Sequence, residues 1–379
     1  MADGGIIDSS RLERFLGKET LDAHAAYMRG WYGPSIPLAV PGRNKIEVTA
    51  DGDFRGKLTD GFFASMHDRF DEMARYGKRA FERYADSRAN IVGMGFTGLT
   101  DFLSESVNSG KNQRYWVAFS STGATASRGT SMWTEGNFPT AGAAPAAAPG
   151  GTVNDNTTTG GLSLNANPTL SGDTEHFLRA EMAPTSGGFG LLLYDRIFSV
   201  LKTMNSTATE AVTGVPNRYT STTVTDPDFC GGNFVFPEVY TVLPATAHNW
   251  TVCQYTNQAG TTAQTLPSVT GNASAPVPSL DLPNGTWFAP LASGDYGIKA
   301  LSQMQCSALV ATGSVGFTIG HPIAWIPMPM IGARARTGGV NYQVNLARIF
   351  TGACLAFIEP PKTSATGVFY TGMITTVRG

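Results

Sequence analysis

The stretch MQCSALVATGSVGFTIGHP, residues 304–322, carries the thiol of Cys306 and the imidazole of His321. A thiol beside an imidazole is the core of a Cys–His nucleophile, and the same two groups are favoured zinc ligands. Catalysis would also need an orienting acid, and zinc would need further ligands; neither stands nearby in sequence. Alternation from Ile298 puts Ala300, Ser302, Met304, Cys306, Ala308 and Val310 on one face, and Val315, Phe317 and Ile319 alternate again after ATGS. The pattern predicts a hairpin turning near Thr312–Gly313. It would bring His321 close to Cys306, bury the thiol beside Met304, and turn Gln303 and Gln305 towards a neighbouring subunit.

Other chemistry-bearing residues are more scattered. Cys230, Cys253, Cys306 and Cys354 form no C-x-x-C pair, so reduced, buried thiols are expected. His24, His67, His176, His248 and His321 include no pair at metal-ligand spacing. Asp226 and Asp228 in TDPDFC offer too few oxygens for calcium and read as a turn capped by carboxylates. Arg334 and Arg336 in GARARTGG fit an ion pair across a subunit contact, or a phosphate or carboxylate. There is no Walker A loop, no G-x-S-x-G elbow and no H-E-x-x-H. These patterns predict a protein that is not an enzyme and takes no metal or cofactor. Trp133, Trp250 and Trp287 would be the stacking rings if the chain recognised glycans instead, and an enzyme with a site assembled by the fold is the third reading.

The 379 residues carry a formal net charge of −2, which excludes a protein built chiefly to neutralise phosphates. Nucleic acid is therefore expected as an indirect partner at most. No apolar run is long enough for a membrane span, and the N-terminus lacks the basic and apolar regions of a secretory signal. The sequons at Asn156, Asn205, Asn249, Asn272 and Asn284 then read as a by-product of Asn- and Thr-rich loops.

Charge divides the chain near residue 114. Residues 1–114 hold 16 Lys and Arg and 16 Asp and Glu, against 11 and 13 in all of 115–379. In the first part, Ser10–Glu13 has capping-box spacing before a short helix, and a second is expected from Thr20 to about Met28. Phe63, Met66, Phe70, Met73, Gly77, Phe81 and Tyr84 form the apolar stripe of a helix over about 60–84. Between them Pro34, Pro37 and Pro41 keep residues 30–56 extended. That arm, with Trp31, Tyr32, Ile36 and Leu38, reaches a neighbouring subunit or folds back on its own helix.

From residue 115 the signals are those of a β domain: RYWVAF, EHFLRAEMA, FGLLLYDRIFSV, NFVFPEVYTVL, NWTVCQYTN, TWFAPL, ARIFTGACLAFIE and GVFYTGMITTV, bounded by turn residues. LLLYDRIFSV is apolar on both parities, which predicts a central strand covered on both faces or a strand at a subunit contact. Residues 139–168 contain one charge, Asp155, and almost no large apolar side chain, so they read as an extended surface loop. Such a loop would be mobile in a monomer and held by neighbours in an assembly.

Three segments, RLERFLGKETLDAHAAYMRGWYGP, LLLYDRIFSVLKTMNSTATEAVTGVPNRY and GIKALSQMQCSALVATGSVGFTIGHPIAW, together resemble virion structural proteins of tailed bacteriophages. The resemblance implies a head-shell component with no active site, located in the virion, whose partners are copies of itself and other virion proteins. The expected fold is mainly β, a sandwich or jelly roll over 115–379 behind a helical 1–114. The alternative is the α+β tailed-phage capsid fold, with 30–56 as its extended loop and 60–84 as its spine helix.

Overall fold

The computed structural model describes residues 111–121, 125–162, 175–185, 190–328, 347–362 and 367–378 and the single residue Ser104. At 37–38, 46–48, 54–55, 137–138 and 335–338 it describes the backbone alone. The chain divides into two units, Met1–Arg83 and Tyr84–Gly379. The helices expected near Ser10, Thr20–Met28 and 60–84 lie outside the described residues. Within the proline-rich arm, β1 (Pro37–Leu38), β2 (Ile46–Val48) and β3 (Phe54–Arg55) form an antiparallel meander in the order β1-β2-β3.

The described part of the second unit is all β, its sheets curving into a half-barrel and a nearly closed barrel. An outer sheet runs in the order β18 (Ala335–Gly338), β8 (Glu175–Pro184), β21 (Phe369–Arg378), β4 (Asn112–Ser120) and β6 (Asn137–Phe138), and β19 (Arg348–Ile349) also pairs with β8. A middle sheet runs β11 (Phe234–Thr241), β17 (Ser314–Pro327), β9 (Gly190–Thr203), β20 (Leu355–Glu359) and β5 (Thr130–Ser131), with β7 (Thr152–Val153) added to β9. A third sheet orders β10 (Glu210–Ala211), β16 (Ile298–Met304), β13 (Gln254–Asn257) and β14 (Gln264–Thr265). β12 (Asn249–Trp250) and β15 (Val269–Thr270) form a small ribbon.

Two cores hold these layers together. Val117, Phe119, Met182 and Tyr370 of the outer sheet share one cluster with Leu191, Leu193 and Phe357 of the middle sheet. Leu192, Phe236, Phe317 and Ile319 of the middle sheet share the other with Tyr255, Leu301 and Met304 of the third. The run read as doubly covered is thus β9, at the centre of the middle sheet, with its first eleven residues buried. At its start alternate side chains feed opposite cores, Leu191 and Leu193 the first and Leu192 and Tyr194 the second, while Ile197, Phe198 and Val200 all join the second.

Three expectations are corrected. The run TWFAPL forms no strand: it crosses the second core irregularly, held by the Ala289 amide on the Val235 carbonyl. β16 and β17 form no hairpin, since β16 pairs with β10 and β13 while β17 pairs with β11 and β9. Gly316 and Gly320 show why. An added Cβ would come within 2.5 Å of the Tyr240 ring at one and of the Tyr194 ring at the other, so these glycines fit β17 beneath two tyrosines of the middle sheet. Between the strands, the Met204 amide donates to the Gly313 carbonyl and the Val310 amide to the Met204 carbonyl, clamping the connection to the end of β9. Strict alternation in β16 also fails, because register shifts against β13 turn Ile298, Leu301 and Met304 inward and leave Ser302 exposed.

The third correction concerns how the low-complexity loop is held: it lies at the surface as read, but its described residues 139–162 are bound to their own chain. The Leu201 amide donates to Ala146, Ala148 donates to Leu201, Asn154 to Ile197 and Leu162 to Leu355. Residues without bulky side chains can lie flat along β9, prolonging the sheet beyond the reach of β20. Because Leu193 is fully buried between the first two layers, Leu193→Ala is expected to destabilise the protein by about 3 kcal/mol. The check is a urea titration in which the midpoint falls while the slope is unchanged.

Candidate functional site

The predicted Cys306–His321 pair is separated by the fold. Cys306 ends buried beside Met304, as parity required, but it bridges Trp250 in the third-sheet region. His321 belongs to β17, stacked on Tyr219 at 3.8 Å with Nδ1 2.8 Å from the Asn233 Oδ1. Asn233 spends its amide protons on the Tyr219 and Ile298 carbonyls, so His321 donates from Nδ1 and is neutral. Burial, opposed only in part by Asp228, lowers its pKa to about 4. All four cysteines are free and buried, and burial pushes Cys253 up to about 11 and Cys354 up to about 12. They are weak nucleophiles at neutral pH.

The other candidates resolve individually. Asp226 accepts from the Asp228 amide at 2.9 Å, and Asp228 accepts from the Tyr219 and Thr220 amides, so the pair caps its turn as expected. Gln303 and Gln305 are half-buried and donate within the chain, to the Val252 carbonyl at 3.4 Å and the Thr207 carbonyl at 3.2 Å. Trp133 and Trp250 are buried, which removes them as glycan platforms; Trp287 is half-buried and meets the 40 % exposed Trp325 edge to face at 5.6 Å. Trp31, Tyr32, Ile36 and Arg334 lie outside the described residues. For Leu38, in β1, and Arg336, paired with Glu181, the backbone alone is described. Among the described residues no group of three or more His, Cys, Asp or Glu could hold a metal ion.

What the sequence reading missed is the charge inside LLLYDRIFSV. Asp195 and Arg196 are both fully buried. Arg196 pairs with Glu238, donates to the Tyr240 hydroxyl at 2.7 Å and stacks its guanidinium 4.2 Å above the Trp133 ring. Tyr240 and Thr318 donate to the same Glu238 oxygen at 2.6 and 2.8 Å. With the Thr318 proton so used, Ser199 donates to Thr318 at 3.1 Å, and Asn154 of the loop donates to Ser199 at 3.1 Å. Burial pushes Glu238 up, but the Arg196 charge together with hydrogen bonds from Arg196, Ser131 and Tyr240 outweighs it and holds the carboxyl below its ordinary range. Asp195 accepts two guanidinium bonds from Arg218, at 2.7 and 2.6 Å, and one from the Cys354 amide at 2.9 Å. The readable signal was two charges inside a doubly buried strand, which have to be paired.

A third hub joins loops. Asp281 accepts from the His248 Nε2 at 2.9 Å, the Trp250 Nε1 at 2.8 Å and the Asn272 amide at 2.6 Å, and Arg128 also faces it. The His248 Nδ1 lies 3.1 Å from the Thr246 carbonyl, so both ring nitrogens face acceptors and the imidazolium satisfies both. Burial disfavours that cation, yet the Asp281 bond and charge prevail and raise the His248 pKa.

These networks are made within the chain; the outer sheet carries exposed side chains on the side away from its core. Tyr115, Val117 and Phe119 of β4 point into the core, while Arg114 and Trp116 are exposed and Ala118 is half-buried on the other side. Across the sheet, Trp116 lines up with Met373 and Glu181, Ala118 with Thr371 and Ala183, and Arg114 with Thr375 and Arg179. Trp116 is 57 % exposed. A face with a large exposed ring is suited to packing against another surface. No family model, curated protein or solved structure matches the chain.

Arg196→Met is expected to destabilise the fold by about 3–5 kcal/mol, because Glu238 is left charged and unpaired, and Arg196→Met with Glu238→Gln should recover much of that loss in denaturant titrations. The two histidines give opposite pH dependences. His248 holds its proton more tightly when folded, so its contribution is complete below the ordinary value of about 6.5 and fades as pH rises through the raised folded value. His321 refuses its proton when folded, so its contribution is lost as pH falls from about 6.5 towards 4. Melting temperatures between pH 4 and 9 should lose the alkaline fall in His248→Gln and the acid fall in His321→Gln.

Proposed function

We propose that this chain is a structural assembly protein of a bacteriophage particle, a component of the head shell, whose principal partners are copies of itself and other virion proteins. The observation that carries this reading is the outer sheet, where Trp116 of β4, the strand beside the edge strand β6, is exposed on the side away from a buried core. Shell subunits need stiff walls and repeated flat contacts. The closed networks around Arg196, Asp195 and Asp281 supply stiffness, since moving any of these elements would strand a buried charge. The layered sheets of 115–379 then form a β-sandwich of the jelly-roll kind; a capsid fold with the meander of 37–55 in its extended loop is the alternative architecture. The role is mechanical rather than catalytic and sited in the virion.

One observation favours a second reading, a tail protein that recognises glycans. Trp287 and Trp325 form an exposed edge-to-face corner on which a sugar ring could stack. The two readings part in the microscope and in binding assays. Purified protein is expected to form shells, rings or tubes in negative stain and species heavier than a monomer in light scattering; a strict monomer at high concentration would reject assembly. Deletion of 31–56 should abolish assembly while leaving the β circular dichroism intact. Glycan-array binding lost in Trp325→Ala would favour the second reading.

A further inference from the structure

The turn 244–248, which leads into β12, is held at its ends by the buried side chains of Leu243 and Trp250. Between them only His248 is buried, while Ala245, Ala247 and Asn249 are exposed. Across from this turn run residues 271–274, which follow β15. The Gly271 amide donates to the His248 carbonyl at 3.0 Å, and the Ser274 amide to the Pro244 carbonyl at 2.9 Å. These facing residues are fixed from below. Asn272 donates its backbone amide to Asp281 and its side-chain amide to the Leu280 and Leu282 carbonyls, and the Asp281 amide donates to the Pro237 carbonyl of β11 at 2.9 Å. The turn's own tie to that base is the imidazole of His248.

Both acceptors of the His248 protons are internal: the Thr246 carbonyl of the turn itself, 3.1 Å from Nδ1, and the Asp281 carboxylate, 2.9 Å from Nε2. Gly271 closes over the ring, since an added Cβ there would overlap Nε2. Removing one proton from the imidazolium sets a lone pair against an oxygen in a buried site, and takes from Asp281 the cation bonded to it. Arg128, before β5, and the Cys306 thiol, after β16, also face that carboxylate. Trp250 has a second anchor, packing edge-on against Phe317 of β17 at 4.7 Å, and Asn272 keeps its own bonds whatever the state of the imidazole. We infer that His248 is an alkaline-sensitive latch: as an imidazolium it holds the turn 244–248 closed on Asp281, and its deprotonation releases that turn while Trp250, Asn272 and the sheets stay in place. Burial lowers the His248 pKa, but the Asp281 bond and charge outweigh it and raise the value above the ordinary one. The latch is therefore fully closed below about pH 6.5 and opens as pH rises through the folded value. A general loss of stability would instead weaken all the sheets alike.

The test follows the His248 ring by proton NMR and the backbone amides by hydrogen exchange, in the full chain from about pH 6 to about pH 9.5, with exchange expressed as protection factors. The Gly271 and Ser274 amides, which donate to carbonyls of the turn, are expected to lose protection at least about 10-fold across the His248 titration, while Asn272 and the amides of β9 and β17 keep theirs. In His248→Gln the Gly271 and Ser274 amides should be poorly protected at both ends of the range and insensitive to pH. Asp281→Asn should move the opening down towards the ordinary imidazole value of about 6.5. The wild-type titration decides the matter even where a variant does not fold. Protection at Gly271 and Ser274 that stays constant while His248 titrates, or a His248 still protonated at about pH 9.5, would overturn the latch. A loss shared equally by β9 and β17 would overturn its local character.

Discussion

The middle sheet is organised around a charge that water cannot reach. Arg196 sits fully buried on a strand whose neighbours are leucines, phenylalanine and valine, and a lone guanidinium there would cost far more than the net stability of a domain. Glu238 on the edge strand β11 must therefore lie alongside, and it does so only if β17 separates β11 from β9 in the observed register. Thr318 of that intervening strand joins the same carboxylate, and Ser199 extends the chain of donors to Asn154. One ion pair thus constrains three strands and a loop. Such a pair adds little net stability, but it makes wrong registers expensive.

The same constraint gives the low-complexity segment its role. Gly142 lies so close to the Trp133 indole that a Cβ would overlap it at 2.2 Å, and the Trp133 Nε1 donates to the Ala143 carbonyl at 2.9 Å. Trp133 in turn lies against Arg196. Alanine, glycine and threonine cannot build a core, but they can lie flat over one and exclude water from the ion pair beneath. Composition that reads as looseness in isolation becomes a close-fitting cover when laid along β9.

Charge is handled differently on the two sides of the protein. Inside, carboxylates and guanidiniums are matched within the chain through several hydrogen bonds; on the outer sheet, Arg114 and Trp116 are exposed, and Arg179 and Glu181 form a partly exposed ion pair.

Sequence by itself determined the local elements wherever one physical signal dominated. Double-parity apolarity marked β9, aromatic and β-branched runs between turn residues marked β4 and β21, and the carboxylates of Asp226 and Asp228 marked their turn. It also determined that the thiols would be buried and free. Tertiary structure alone decided which strands meet. Residues 298–320 read as a hairpin because sequence neighbours pair most easily, yet β17 pairs with β11 and β9, where Gly316 and Gly320 fit beneath tyrosines of those strands, separating Cys306 from His321. The partners of Asp195, Arg196 and His248 lie 23, 42 and 33 positions away and become neighbours only when the sheets stack. The need for a partner was written in the strand; its identity was not, because long-range pairing depends on the packing of the whole domain and leaves no spacing to read.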